Sequence, residues 1–500
     1  MKRFSKRLSL FLAVCFIASA FAACGGEPSA PAATTEGPSG PAVTETEAPE
    51  TAESFDPNLE AVDYGGQRIG ILTREISDTY CRQLDDISAE AEDGNALNDS
   101  IFRRNSKIME KYNVVFDIHV GDVTTIAKKD VQSGAGEYDI LLNGITENVG
   151  LAAEGYLLDL ASLPHVDLEK PYWSGAIMED MRILRHNYYG VSDLTIQAYF
   201  SSGIVYFNKG LFEEYGLRDP YQMAREGKWT LDELISLSRD VSRDLDGDGQ
   251  LSEKDQYGIT FNNFAWQILF YGSGETFVAK DDRDLLKWNG GGSRLMNVLQ
   301  KLMPISQDQT VTLYSENYRS LGGNYRIDVC QNAFNEGRAL MWLEAMYGVP
   351  ALRDMENDFG ILPVPKYDEA QEHYGSFIHT SHGSCVAVPT TVKSAEMIGA
   401  VLEDLTYESS LTVRPAFIET TLKGKYARDN ESADMIDLII NNIRTDYGLL
   451  LVGYGLGTDT DMRRLMDKGS TDAASVLAEN EAKYVSVLDK YNEFIESAAK

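Results

Sequence analysis

Apolar positions recur at helical spacing along residues 96–112, where Leu97, Ile101, Ile108 and Tyr112 share one face. Short apolar runs at 67–72 and 114–120 flank this stretch and read as strands, so the three together predict a βαβ unit. A shorter helical pattern from about 123 to 132 leads to Tyr138-Asp139-Ile140-Leu141-Leu142, a compact apolar strand closed by Asn143-Gly144. Strands alternating with helices in this way predict a parallel, doubly wound sheet.

A second alternating unit starts near Gly203. Ile204-Val205-Tyr206-Phe207 reads as a strand, and Asn208 is placed to cap a helix at 209–215 that Gly216 ends. Further on, Thr230 and Glu233 have the spacing of a capping box, while Trp229 can staple onto Leu234, which gives Trp229 a structural role. Helical patterns follow at 394–407, 432–443 and 471–499, and no internal repeat is present.

A chain of 500 residues exceeds one hydrophobic core, and roughly 150 residues per domain predicts at least two lobes. The composition, 43% hydrophobic and 24% charged, is that of a folded protein. Asp and Glu number 77 against 45 Lys and Arg, and a net charge of -32 repels phosphate backbones, which excludes nucleic acid as a partner class.

The N-terminus departs from this composition. Residues 1–23 have a basic start (Lys2, Arg3, Lys6, Arg7) and an apolar run from Leu8 to Ala22, too short to span a bilayer and typical of a secretion signal. Phe21-Ala22-Ala23-Cys24-Gly25 resembles the lipobox of bacterial lipoproteins, which implies acylation of Cys24; ordinary cleavage after Ala20-Phe21-Ala22 is the alternative. Residues 25–63 carry nine acids, no Lys or Arg and six of the fifteen prolines, and residues 24–63 are read as a lipidated cysteine followed by an extended, disordered tether. These features place the folded part outside the cytoplasm, at the outer face of the cytoplasmic membrane. Cys81, Cys330 and Cys385 lack zinc or CxxC spacing, and three thiols form at most one disulfide.

The sharpest local motif runs from Asp244 to Asp255. Asp244, Asp246 and Asp248 stand at positions 1, 3 and 5 of a calcium loop, Gly249 follows at 6, Gln250 offers its carbonyl at 7 and Asp255 a carboxylate at 12, with Glu253 as an alternative ligand if the loop closes early. Alternating acids in a tight turn repel one another unless a cation is present. Such a Ca2+ is expected to be structural, since carboxylates saturating the ion leave no position for a substrate. No GxSxG, HExxH or GxxxxGK[ST] signature occurs, so the chain is not expected to be an enzyme, although paired glycosidase carboxylates would leave no pattern. His379 and His382 read as loop residues.

Several segments taken together resemble the extracellular solute-binding proteins of ABC importers, family 1, of the sugar-type, maltose-binding-protein-like class. They are Glu154-Gly155-Tyr156-Leu157-Leu158-Asp159-Leu160, Phe207-Asn208-Lys209-Gly210-Leu211-Phe212, Lys228-Trp229-Thr230-Leu231-Asp232-Glu233-Leu234, Phe334-Asn335-Glu336-Gly337-Arg338-Ala339-Leu340-Met341 and Asp358-Phe359-Gly360-Ile361-Leu362-Pro363-Val364-Pro365. The resemblance implies an α/β fold of two doubly wound lobes joined by a hinge, a periplasmic-binding-protein-like clamp. By that analogy residues 66–195 and 328–380 form lobe one, and 196–327 and 381–500 form lobe two. It implies capture of a solute, a carbohydrate above all, by a monomer that delivers it to the transmembrane subunits of an ABC permease. The alternatives are a receptor for a peptide or organic anion, or a surface enzyme acting on polysaccharide.

In doubly wound sheets the ligand crevice lies beyond the carboxyl ends of the strands. That rule selects Thr73, Arg74 and Glu75 after the first strand, Asn143 after the third, Asn262, Asn263 and Trp266 after residues 257–260, and Glu344 and Tyr347 after 339–343. Planar polar groups bond paired hydroxyls and aromatic faces pack on sugar rings, so Trp173 and Trp342 join the candidates, each with a core reading beside it. Arg74 is either an anion clamp or half of an ion pair.

Overall fold

The computed structural model describes residues 55–75, 83–352, 354–422 and 430–499. The strand Gln67–Thr73 lies between Val114–Val120 and Ile140–Gly144, parallel to both, and Ser384–Ala387 closes this first sheet antiparallel to Ile140–Gly144. The helix Ala96–Tyr112 connects the first two strands and buries Ile101, Ile108 and Tyr112. Asn95 caps it by accepting from the Leu97 and Asn98 N–H groups, and Asn113, in the left-handed region at φ 44°, ends it. The helix Ala395–Glu408 packs against it, and the Tyr112 hydroxyl donates to Asp404 at 2.7 Å.

The second sheet has the order Phe359–Leu362, Gly203–Asn208, Ala339–Ala345, Tyr257–Phe261, Thr312–Tyr314, antiparallel in its first two pairs and parallel in its last two. Ala339–Ala345 is central and every one of its residues is buried. Trp229 is fully buried and donates to the Pro363 carbonyl at 2.8 Å, and Thr230 accepts from the Glu233 N–H at 3.4 Å. Glu233 itself pairs with Arg218. These are two mixed α/β lobes of the clamp type, without a closed barrel.

The lobe assignment needs correction. Residues 339–345 and 359–362 belong to the second sheet, and 384–387 to the first. A strand buried on both faces carries no sign of which sheet it completes; the partners decide, and Cys385 lies opposite Asn143 while Trp342 lies opposite Tyr206. No crossing occurs at 327–328, because the helix Tyr325–Asn335 runs through that point. The chain passes between lobes near Ser202 and again at 378–383, and these passages are joined by an antiparallel bridge between Ser202 and Ile378. Beside them Ser376–Phe377 pairs in parallel with Ile443–Arg444.

The end of the expected tether also differs. Phe55, Leu59 and Tyr64 pack against the core, and the Tyr64 and Gly66 N–H groups donate to the Tyr112 and Asn113 carbonyls. Residues 1–54, with the signal and Cys24, lie outside the described residues, as does Cys81. Cys330 and Cys385 are buried free thiols. Among the described residues no helix is long and apolar enough to cross a membrane.

Candidate functional site

The strand ends of the two sheets meet around the second crossing segment. Arg74, one residue beyond the first strand, donates from Nη1 to the Ser381 carbonyl at 2.9 Å and to Glu147 Oε1 at 3.2 Å. Gly144 leaves room for this pair: a Cβ there would sit 2.2 Å from Glu147 Oε2 and 3.0 Å from Arg74 Nη1. Burial lifts the Glu147 carboxyl above its ordinary range, and Arg74 offsets part of that. The ion-pair reading of Arg74 therefore holds.

Asn143 is fully buried and its Nδ2 faces Thr124 Oγ1 at 3.3 Å and Asn148 Oδ1 at 3.4 Å. Its Oδ1 has no hydrogen-bond partner among the described residues, and the same is true of Thr73 Oγ1, Thr146 Oγ1 and Glu147 Oε2. These unpaired groups line the carboxyl edge of the first sheet, where a water or a solute hydroxyl would satisfy them.

On the second sheet, Asn262 Oδ1 accepts from the Phe264 N–H at 2.7 Å. Glu344 is 4% exposed; its Oε1 accepts from the Ala345 N–H at 2.9 Å and from the Tyr347 hydroxyl at 3.2 Å, and Asn262 Nδ2 approaches Oε2 at 3.5 Å. Burial pushes its pKa up to about 7 against the pull of those two donors. Tyr347 meets His382 edge-on at 6.0 Å, His382 stacks on His379 at 3.7 Å and 4°, and His379 meets Phe264 at 4.9 Å. Rings stacked this way cannot turn their nitrogens onto one metal ion. Burial, then His382 and Arg463, holds the His379 imidazole well below its usual value.

Three sequence candidates are core residues. Trp266 is fully buried, donates to Asp459 Oδ1 at 3.1 Å and packs among Phe270, Tyr271 and Phe277. Trp342 stacks on Tyr206 at 5.1 Å and 25°. Trp173, 1% exposed, donates to Glu403 Oε2 at 3.2 Å, and it borders a groove of about 530 Å³ that includes none of the strand-end residues. A large apolar ring gains more from full burial than from standing exposed in an empty cleft.

Sequence reasoning missed Glu147, Phe264, Asp459 and Arg463. Asp459 is a hub that accepts from Trp266 Nε1, from Gln267 Nε2 at 2.6 Å and from Arg463 Nε at 2.9 Å, and Arg463 Nη1 donates to Asn263 Oδ1 at 2.7 Å. The only available signal was the i,i+4 spacing of Asp459 and Arg463, which also marks an ordinary exposed helix.

The acidic loop closes on itself. Oxygens of Asp244, Asp246 and Asp255 lie within 4.8 Å of one another. The Gly249 and Gly247 N–H groups hold the Asp244 carboxyl below its usual range. Burial raises the Asp255 carboxyl, but the N–H groups of Leu245 and Ser252 outweigh it and leave it low. Gly247 and Gly249 take φ 75° and 83°, which an L side chain rarely adopts. The converging acid is thus Asp255 and not Glu253, and Asp248 and Gln250 stay exposed outside the trio. The hard carboxylate set suits a Ca2+ ion.

The family model described as bacterial extracellular solute-binding protein matches residues 109–393, more than half of the chain. No curated protein sequence matches it. Among solved structures, the chain is similar to a cyclic alpha-maltosyl-1,6-maltose binding protein from Arthrobacter globiformis, with 14% identity, TM-score 0.54 and coverage of 87% of this chain and 99% of that one. It is similar to a sugar transporter from Rhizobium etli in an open conformation, with 13% identity, TM-score 0.55, and 86% and 99% covered. UgpB from Mycobacterium tuberculosis in complex with glycerophosphocholine aligns at 13% identity and TM-score 0.53, with 85% and 99% covered. At such identities the likeness concerns the fold.

Proposed function

Since the chain belongs to the bacterial extracellular solute-binding proteins, we propose that it captures a carbohydrate between its lobes outside the cytoplasm and delivers it to an ABC permease. The observation that carries this reading is the placement of Arg74 and Asn143 at the carboxyl edge of the first sheet and of Asn262, Asn263, Glu344 and Tyr347 at that of the second, with the crossing segment touching both through Ser381 and His382. Amides and carboxylates of this kind bond paired hydroxyls, and two of the similar structures are named for sugars. The organic-anion reading loses its main support, because Arg74 is engaged by Glu147 and the Ser381 carbonyl.

The protein acts as a receptor without turnover. Cys24 carries a lipid anchor behind the acidic tether, and the loop at Asp244, Asp246 and Asp255 holds a structural Ca2+ ion. Calorimetry against mono- and oligosaccharides, peptides and organic acids tests the receptor reading, with solution scattering to follow closure. Tight sugar binding with a smaller radius of gyration and no release of reducing ends is expected. Binding of a peptide or anion alone refutes the carbohydrate, and turnover of a glycan refutes the receptor.

A further inference from the structure

Several buried acids in this protein are compensated by a cation or by a set of hydrogen-bond donors. Asp180 is paired with Arg444 at 2.6 Å, Asp193 with Arg414 at 3.5 Å and Glu316 with Arg319 and Arg326. Asp446 instead accepts from the Tyr271 hydroxyl and from the N–H groups of Phe277, Val278 and Leu449. Glu344 has no cation and, like the fully buried Asp86 with its unpaired Oδ2, an incomplete set of donors. Among the described residues no Lys, Arg or His lies within ion-pair distance of it, and its Oε2 has only the Asn262 amide at 3.5 Å, the outer limit of a hydrogen bond. A carboxylate removed from water without a cation or a full set of donors is costly, and it stands at a strand end where solute enters.

What lies next to it is aromatic. Tyr347, His382, His379 and Phe264 form a continuous row of rings along the crossing segment, beginning with the ring whose hydroxyl bonds Glu344. Ring faces attract cations, most strongly where water is excluded. Arg463, beside His379, is already committed to Asp459. We infer, on the premise that the cleft binds sugar, that the solute bears a free ammonium group and that Glu344 is its counter-ion, flanked by this aromatic row. The shared chemistry is a cationic amine; an amino sugar is the source the amide-lined cleft favours, and a non-sugar amine is distinguished from it by the test.

Wild type and Glu344→Gln are titrated calorimetrically with glucosamine and its oligomers, their N-acetylated forms, the corresponding neutral glucose oligomers, choline and spermidine. The unacetylated amino sugar should bind wild type at least tenfold tighter than its acetylated and neutral counterparts, and Glu344→Gln should erase that preference, so that the three bind the variant alike. A preference that persists in Glu344→Gln, or neutral sugar binding as tightly as the amine, overturns the inference and leaves the receptor intact. Choline or spermidine binding without any sugar supports the counter-ion and overturns the sugar. Silence in every arm overturns both. Should the variant fail to fold, wild type alone decides: the amine preference should fall at least tenfold from pH 8 to pH 5 as Glu344 takes up a proton. The titratable groups around it are Tyr206, Cys330 and Tyr347, with His379 and His382 on the crossing segment and Arg463 beyond them. A preference unchanged over that range overturns the inference.

Discussion

Replacing Trp266 separates a packing role from a binding role. The indole is fully buried against Phe270, Tyr271 and Phe277, with ring centroids 5.9 to 6.3 Å away, on a helix, Ala265–Gly272, whose eight residues are all buried. Truncation to Ala removes that area and leaves a cavity lined by rigid rings, for which the expected cost is about 3–5 kcal/mol. Trp266→Phe keeps most of the packing but deletes the N–H that Asp459 accepts at 3.1 Å, and a hydrogen bond to a charged group is worth roughly 1.5–3 kcal/mol. Asp459 keeps Gln267 and Arg463, which places the Phe variant at the lower end. Urea unfolding followed by circular dichroism should show both midpoints lowered in that order, with the slope unchanged. An Ala variant as stable as wild type but with weakened solute affinity would refute the argument and return Trp266 to the cleft.

Glu344→Gln should stabilise the empty protein at pH 8 and much less at pH 5. With a folded pKa of about 7 against an ordinary 4.5, the wild type is fully stable below the unfolded value and loses stability as pH rises through 7, by on the order of 3 kcal/mol; equal gains at both pH values in urea melts would contradict this. Removing calcium should lower the melting temperature, since ~1 mM ion over a site of ~10 μM contributes about 2.7 kcal/mol, and Asp246→Ala should abolish the response; a melt indifferent to chelator after exhaustive metal removal would show the loop to be an empty turn. Cys24→Ala should move the protein from the membrane fraction to the medium or block its processing, and a wild type already soluble with Ala23 at its N-terminus would rule out acylation. Glu147→Gln should loosen Arg74 and alter solute affinity more than stability, because the pair is partly exposed; an unfolding midpoint shifted with affinity intact would assign the pair to the fold alone.

Much of the architecture was legible because periodic patterns act locally. The helix Ala96–Tyr112 and the strand Val114–Val120 have the bounds that spacing predicts, and Thr230 caps the helix Leu231–Arg239 as its motif requires. The strand-end rule selected Arg74, Asn143, Asn262, Glu344 and Tyr347, and the strands end where the rule needs them to. The tryptophans were not legible: a helix apolar on every side, such as Ala265–Gly272, offers no face from which to read where an indole points. Lobe membership failed for a related reason, since Ala339–Ala345 and Ser384–Ala387 are both fully buried strands and only their distant partners distinguish them. Glu147 and Arg463 reach the site through partners 73 and 200 residues away, beyond any local pattern.

The passages between the lobes run side by side, tied by the Ser202–Ile378 bridge and by the pairing of Ser376 and Phe377 with Ile443 and Arg444. Such a ribbon is soft to bending across its strands and stiff to sliding along them, because a slip would break its ladder in one step. The helix Ala473–Ala498 ties both lobes as well, with Tyr491 bonded to the Val149 carbonyl and Asn492 to Leu286, so the two faces are held in a common register by more than the ribbon. Part of the entropy of bringing the two faces into register has thereby been spent during folding rather than at each encounter with a solute.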